Sequence, residues 1–61
     1  MNGVIKSFSE KNGYGFISSD TDHFFTVREW KELGSPEIGA KVTFDSVKTD
    51  KGMRAKKIRR D

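Results

Sequence analysis

Residues 3–18 read GVIKSFSEKNGYGFIS, two runs of strand-forming residues separated by an Asn-Gly pair. That pair favours the left-handed backbone of a tight hairpin turn, so the two runs are predicted to form neighbouring antiparallel strands. Gly15 lies between Tyr14 and Phe16 in the second run, although glycine weakens a strand interior. Because side chains alternate between the faces of a strand, Gly15 is predicted to face the inside of a curved sheet and both rings the outside.

The rest of the chain predicts three more strands and one helical segment. The additional strand-forming runs are HFFTV at 23–27, KVTFDSV at 41–47 and MRAKKIR at 53–59, the last two joined by a TDKG turn. Thr26 and Glu29 have the spacing of a capping box, and REWKEL then favours one or two helical turns that end at Gly34. Five short strands without a long helix predict an all-β fold, a small barrel with a short helical or 3-10 turn between strands 3 and 4.

Alternation also assigns faces to the aromatic residues of the third strand. If Phe25 and Val27 face the core, Phe24 faces outward and joins Tyr14 and Phe16. Three outward rings on adjacent strands would form a platform on which nucleic-acid bases stack. The alternative is that these rings belong to the core, as most aromatic residues of so short a chain do.

Charge is distributed unevenly along the chain. Residues 1–50 contain six Lys/Arg and eight Asp/Glu, net −2, whereas residues 51–61 contain six Lys/Arg and one Asp, net +5, which gives the overall +3. Such a basic end is typical of a surface that binds an anionic partner, although it could equally be a solvated end that keeps a small domain soluble. The residues predicted to follow phosphates beside the rings are Lys6, Lys51, Arg54 and Lys56.

Several classes of site and location are disfavoured. The chain has no cysteine and a single histidine, so we expect no disulfide, no metal site and no cofactor. We expect His23 to lie at a strand end beside the turn at Asp22. Neither that histidine nor the Asp20 and Asp22 pair supplies the set of groups a hydrolase or nuclease needs, so an enzyme is the poorest fit. The absence of a signal-like or membrane-spanning segment predicts a cytoplasmic protein that acts neither on membranes nor on small-molecule substrates.

Trp30 admits two interpretations. Leu33 lies three residues further on and could share its face of a helical turn, which favours Trp30 as a cap on one end of the core. The alternative is an exposed ring that anchors a protein partner, since tryptophan is enriched at the centres of interfaces. On that second hypothesis the barrel is a protein-interaction or regulatory module.

The chain resembles cold-shock proteins over nearly its whole length. GVIKSFSEKNGYGFIS is similar to the opening pattern of that family, G-x-V-K-W-F-N-x-x-K-G-[YF]-G-F-I. DHFF at 22–25 resembles the start of the family's D-V-F-V-H-F, and residues 41–58 resemble its last two strands. The resemblance implies one domain over residues 1–61, a five-stranded antiparallel barrel of the OB type. It also implies binding of single-stranded RNA or DNA, with a role as an RNA chaperone.

The resemblance further implies which residues bind nucleic acid, and it shows where this chain departs from the family pattern. Carried over by position, the binding residues are Lys6, Phe8, Tyr14, Phe16, Phe24 and Lys51. Phe8 is expected to be partly core and partly surface. The departures are Ser7 in place of a stacking tryptophan, Asn12 in place of lysine, and Thr26-Val27 in place of His-Phe. These departures predict weaker or altered binding, which Arg28 and Trp30 could offset. Separately, we expect a monomer rather than a strand-swapped dimer.

Overall fold

The computed structural model describes residues 1–61 as a closed barrel of five strands. The elements are β1 Asn2–Ser9, β2 Tyr14–Ser18, β3 Asp22–Thr26, a 3-10 turn Val27–Glu29, β4 Lys41–Thr49 and β5 Gly52–Arg60. The order around the barrel is β1-β2-β3-β5-β4, and all neighbours are antiparallel except β3 and β5, which are parallel. The predicted all-β barrel is confirmed, with that one parallel seam as a correction. No helix in it is long and apolar enough to cross a membrane.

The first hairpin forms with a longer loop than the Asn-Gly pair predicts. Residues 10–13 connect the two strands, and only Gly13 adopts the left-handed region, at φ +74°. Its N–H donates to the Ser9 carbonyl at 2.7 Å. Asn12 keeps a negative φ, so the predicted hairpin forms and Gly13 alone of the Asn-Gly pair supplies its left-handed backbone.

The strands β1 and β5 each carry a β-bulge. In β1 the register passes from Ile5 opposite Ile17 to Ser7 opposite Phe16, which makes Lys6 the extra residue. In β5 the extra residue is Lys57, the only non-glycine residue with positive φ, at 53°. A bulge places consecutive side chains on the outer face and bends the strand, which helps a short sheet to close.

The core is built from residues of every strand and of the segment after the 3-10 turn. Its buried hydrophobic members are Ile5, Ile17, Phe25, Trp30, Val42, Phe44, Ala55 and Ile58. Val27 is not among them, because it is 52% exposed. The 3-10 turn begins at this residue and ends the two-residue alternation of β3, so of the two residues assumed to face the core only Phe25 does.

Trp30 caps one end of this core. It is only 7% exposed, and its indole N–H donates to the Gly34 carbonyl at 2.8 Å while the Arg60 guanidinium lies 5.2 Å from the ring centroid. The core interpretation is therefore confirmed, and the interpretation as an exposed anchor is wrong. Leu33 does not share its face, since it is 91% exposed. The helical segment is one 3-10 turn that ends at Glu29, shorter than predicted.

His23 is the second residue of β3, at the strand end where it is expected, and its side chain is buried against the core. It is 1% exposed, and its ring meets Phe44 edge-on with centroids 4.9 Å apart. Nδ1 lies 2.9 Å from the Thr21 carbonyl and Nε2 lies 2.9 Å from the Ser46 hydroxyl. A carbonyl only accepts, so Nδ1 donates to Thr21 and, in the neutral ring, Nε2 accepts from Ser46. Both polar atoms of this buried ring are thereby satisfied.

Glu29 joins the 3-10 turn to β5. A capping box links it to Thr26, whose backbone N–H and hydroxyl donate to Glu29 Oε1 at 3.0 and 2.8 Å. The Arg54 guanidinium donates to the same oxygen at 3.0 Å. Burial by itself raises the pKa of Glu29, but the hydrogen bonds from Thr26 and the charge and hydrogen bond of Arg54 outweigh it and hold that pKa below its ordinary value.

Substitution of Gly15 by alanine is expected to destabilise the barrel strongly. A Cβ on Gly15 would overlap the Ser7 carbonyl oxygen and lie 2.9 Å from the Phe8 Cα, which is backbone and cannot turn aside. Overpacking of this kind costs about 1–3 kcal/mol, and we expect the upper end of that range. Urea unfolding of Gly15→Ala measures it. Gly39→Ala is the control: its Cβ would meet nothing within 4 Å, and only the backbone cost of a side chain at φ +91° applies, about 1–2 kcal/mol. Equal losses in the two variants would contradict the close approach.

Glu29 is expected to give the folded chain a defined acid sensitivity. Since its folded-state pKa lies below its unfolded one, its contribution is complete above the ordinary glutamate value of about 4.3 and is lost as pH falls through the lower folded value. Glu29→Gln should unfold about 1 kcal/mol more easily at pH 7, a figure kept small because Arg54 is partly solvated. It should also lose less stability than the wild type between pH 5 and pH 3. Glu10→Gln, which removes an exposed carboxylate, should leave the pH profile unchanged.

Candidate nucleic-acid interface

Three aromatic rings lie side by side on the outer surface of β2 and β3. We call Tyr14, Phe16 and Phe24 the ring face. Tyr14 and Phe16 are 40% and 37% exposed, and Phe24 lies half-buried between them. The ring centroids of Tyr14 and Phe24 are 5.6 Å apart, and those of Phe16 and Phe24 are 5.8 Å apart. The register of the two strands places Phe16 opposite Phe24, so the predicted outward placement of these three rings is confirmed.

A cleft of about 650 Å³ opens beside the ring face, under the turn between β4 and β5. Its lining residues are Phe16, Phe24, Thr49, Asp50, Lys51, Met53 and Arg54. Lys51 is exposed and forms no ion pair, so its ammonium is free to meet an anion. Sequence reasoning does not assign Thr49, Asp50 and Met53 to the site, although the TDKG turn that holds the first two is recognisable as the link between the last two strands.

Arg54 supports the ring face from its inner edge. It lies opposite Phe24 in the parallel seam, and its guanidinium carbon is 5.5 Å from the Phe24 ring centroid. The same guanidinium is bound by Glu29, while its Nε is buried without a hydrogen-bond partner. Much of the charge of Arg54 is therefore offset inside the protein, and its contact with Phe24 holds that ring in place.

Lys6 and Phe8 flank the ring face on β1. The Lys6 ammonium pairs with the Asp22 carboxylate at 2.9 Å, with both side chains about half exposed. Such a surface pair is weak and opens readily toward another anion. Phe8 is half-buried, and its ring stacks on Phe25 with centroids 5.8 Å apart and planes 9° apart. The expected mixed role of Phe8, part core and part surface, agrees with this packing.

Lys56 does not line the cleft at the ring face. It lines a second and smaller groove of about 180 Å³ with Arg28, Glu29, Lys31 and Lys57, and none of these residues lines the cleft at the ring face. Lys56 therefore lines a different cavity from Lys51 and Arg54, and its role as a phosphate contact stays a prediction. We call this second cavity the basic groove.

The positions at which the chain departs from the cold-shock pattern surround the ring face. Ser7 lies opposite Phe16 on β1, and Thr26 lies opposite Tyr14 on β3. The Thr26 hydroxyl donates a hydrogen bond to Glu29. Val27 is exposed next to the first hairpin, and its N–H donates to the Gly13 carbonyl at 2.8 Å. The prediction that Trp30 compensates for the missing rings is wrong because Trp30 is buried.

Comparison with known proteins finds curated relatives that match over most of both chains. The profile of the family described as 'Cold-shock' DNA-binding domain matches residues 1–60. A cold shock-like protein of Aquifex aeolicus is 40% identical, over 93% of this chain and 89% of that protein. The cold shock-like protein CspD of Haemophilus influenzae is 39% identical, over 92% and 85% of the two chains.

A solved structure supports the fold independently. The Drosophila structure "Unr CSD456" superposes on 98% of this chain with a TM-score of 0.80 at 23% identity, and this chain spans 26% of its length. At that identity the likeness concerns the fold. Family membership is shown by the profile match over residues 1–60 and by the identities near 40%. The chain belongs to the cold-shock domain family, whose members bind nucleic acids.

Proposed function

We propose that this chain binds single-stranded RNA or DNA by stacking bases on the ring face, as one domain formed by residues 1–61. The observation that carries the proposal is the set of three adjacent, solvent-accessible rings next to a cleft that holds the unpaired Lys51. Stacking of a base on an aromatic side chain contributes about 1–3 kcal/mol with little dependence on sequence. The mechanism is binding without bond breaking, and it needs no metal or cofactor.

The proposal assigns different tasks to the residues around the rings. Tyr14, Phe16 and Phe24 stack bases, and Phe8 extends this surface with its exposed edge. Lys51 contacts a phosphate next to the cleft, and Lys6 does so once its pair with Asp22 opens. Arg54 acts mainly by holding Phe24.

Binding is expected to be weaker than in relatives that have the full set of rings. The serine at position 7 and the Thr26-Val27 pair stand where the family pattern has three aromatic side chains. At about 1–3 kcal/mol per stacked base, the absence of two or three stacking groups would forfeit about 2–9 kcal/mol if the contributions were additive. Weak binding with little sequence preference suits an RNA chaperone, which must release the strand it has opened.

The alternative hypothesis, a protein-interaction module anchored by Trp30, has no support from the geometry. Trp30 is committed to the core through its ring and its N–H. We therefore propose a monomer that acts on nucleic acid in the cytoplasm and does not require a protein partner.

Removal of one ring is expected to weaken binding without unfolding the barrel. Phe16→Ala should reduce affinity for oligo-dT or oligo-U at low salt by about 1–3 kcal/mol, or roughly 5- to 150-fold. Phe16→Leu keeps an apolar side chain and separates stacking from simple contact, so it should lose most of the same affinity. Anisotropy of a labelled oligonucleotide measures the change, while the fluorescence of the buried Trp30 reports whether the variant is folded.

Leu33→Ala is the matched control for these variants. Leu33 is 91% exposed and lies outside the cleft, so its removal should leave the affinity within error of the wild type. If Phe16→Ala binds as tightly as Leu33→Ala does, the ring face is not the binding surface.

A further inference from the structure

The basic groove collects four cations that the ring face does not account for. It is lined by Arg28, Glu29, Lys31, Lys56 and Lys57 and by no hydrophobic side chain. Its one carboxylate, Glu29, is already engaged by Arg54 and Thr26. None of the four cations forms an ion pair. Four unpaired cations around one cavity repel one another, and an anion bound between them would relieve that repulsion.

The backbone of β5 is shaped so that two of these cations face the groove. Lys57 is the extra residue of the bulge and has φ 53°, a conformation that is unfavourable for a residue with a side chain. Because of the bulge, Lys56 and Lys57 are both exposed although they are consecutive in a strand. Regular alternation would turn one of them away from the outer surface. The unfavourable backbone conformation of Lys57 therefore coincides with the exposure of two adjacent ammonium groups.

One ion pair links the groove to the cleft at the ring face. Arg54 lines the cleft, and Glu29, which lies 3.0 Å from the Arg54 guanidinium, lines the basic groove. A polymer that leaves the cleft past Arg54 therefore passes next to a residue of the groove. The absence of any ring or other apolar side chain in the lining means that the groove suits a chain of phosphates and offers no surface for stacking a base.

We propose that the basic groove binds the sugar-phosphate backbone of a single strand that continues from the ring face, a second and sequence-independent contact region. The inference rests on the proposed function, since the strand must first be held by the rings. The rings then bind a few bases, and the cations of the groove bind the phosphates of the nucleotides that follow, which lengthens the bound segment. An acidic protein segment is the competing occupant, and its binding is an outcome of the test below.

The test compares two lengths of oligo-dT across a salt series. An OB-type barrel binds about 4–16 nucleotides, so oligomers of about 5 and about 14 nucleotides bracket the ring face alone and the ring face with the groove. Wild-type protein should bind the longer one with a steeper dependence on salt. Lys56→Gln/Lys57→Gln should reduce the slope of log Kobs against log[salt] by about 0.7 for each phosphate that is no longer neutralised, on the longer oligomer only.

The matched control is Lys41→Gln/Lys48→Gln, which removes the same charge from exposed positions outside both cavities. If the control lowers the slope as much as the groove variant does, or if the groove variant leaves the slope on the longer oligomer unchanged, the groove is not a contact region. Should Lys57 variants fail to fold, Arg28→Gln/Lys31→Gln alters the opposite wall of the groove without touching the bulge, and the same change in slope is expected.

The two proposals fail in different ways. If the short oligomer binds and the groove variant behaves like the wild type on both lengths, only the groove proposal falls. If neither oligomer binds, both fall. The competing occupant is tested with an acidic peptide such as oligo-glutamate. If this peptide shifts the amide resonances of Lys31, Lys56 and Lys57 and oligo-dT leaves them unchanged, the groove is a site for acidic protein segments.

Discussion

The closeness of β1 to β2 at Gly15 determines how the rest of the barrel is arranged. With only a hydrogen on its inner side, this residue lets the backbone at Ser7 and Phe8 lie where a Cβ would otherwise be. The tight curvature turns Phe8 onto Phe25 inside the barrel. It also leaves the residues on either side of the glycine, Tyr14 and Phe16, on the convex surface. One missing methyl group therefore serves both the packing of the core and the exposure of the rings.

Residues in regular strands can be assigned from the sequence, and residues where the strands become irregular cannot. In β2 the strict alternation of Tyr14, Gly15, Phe16 and Ile17 matches the observed alternation of exposed and buried positions. Alternation misplaces Val27 because a 3-10 turn replaces the strand at that residue. The tertiary contacts of Arg54 with Glu29 and Phe24 are not predictable from pattern, since they join segments about 25 residues or more apart.

Both bulges do have a signal in the sequence that alternation alone overlooks. Residues 5–8 read IKSF and residues 55–58 read AKKI, each with two consecutive polar residues between apolar ones. In both, the flanking residues pack in or against the core and the polar pair is exposed. Two adjacent polar residues between inward positions are incompatible with a period of two, so such a tetrapeptide in a strand indicates a bulge. The exposure of both Lys56 and Lys57 could have been predicted on this ground.

The parallel seam between β3 and β5 has a consequence for how the barrel opens. These strands meet in the register pair of Phe24 with Arg54, and beyond β3 in the bridge of Trp30 with Ile58, whereas β4 and β5 are paired from Val42 to Thr49. The seam with the fewest register pairs thus runs beside Phe24, at one side of the ring face. Its amides should be the first to exchange with deuterium when the native barrel opens locally. A polymer that contacted both Phe24 and Arg54 would bridge this seam and hold the two strands together.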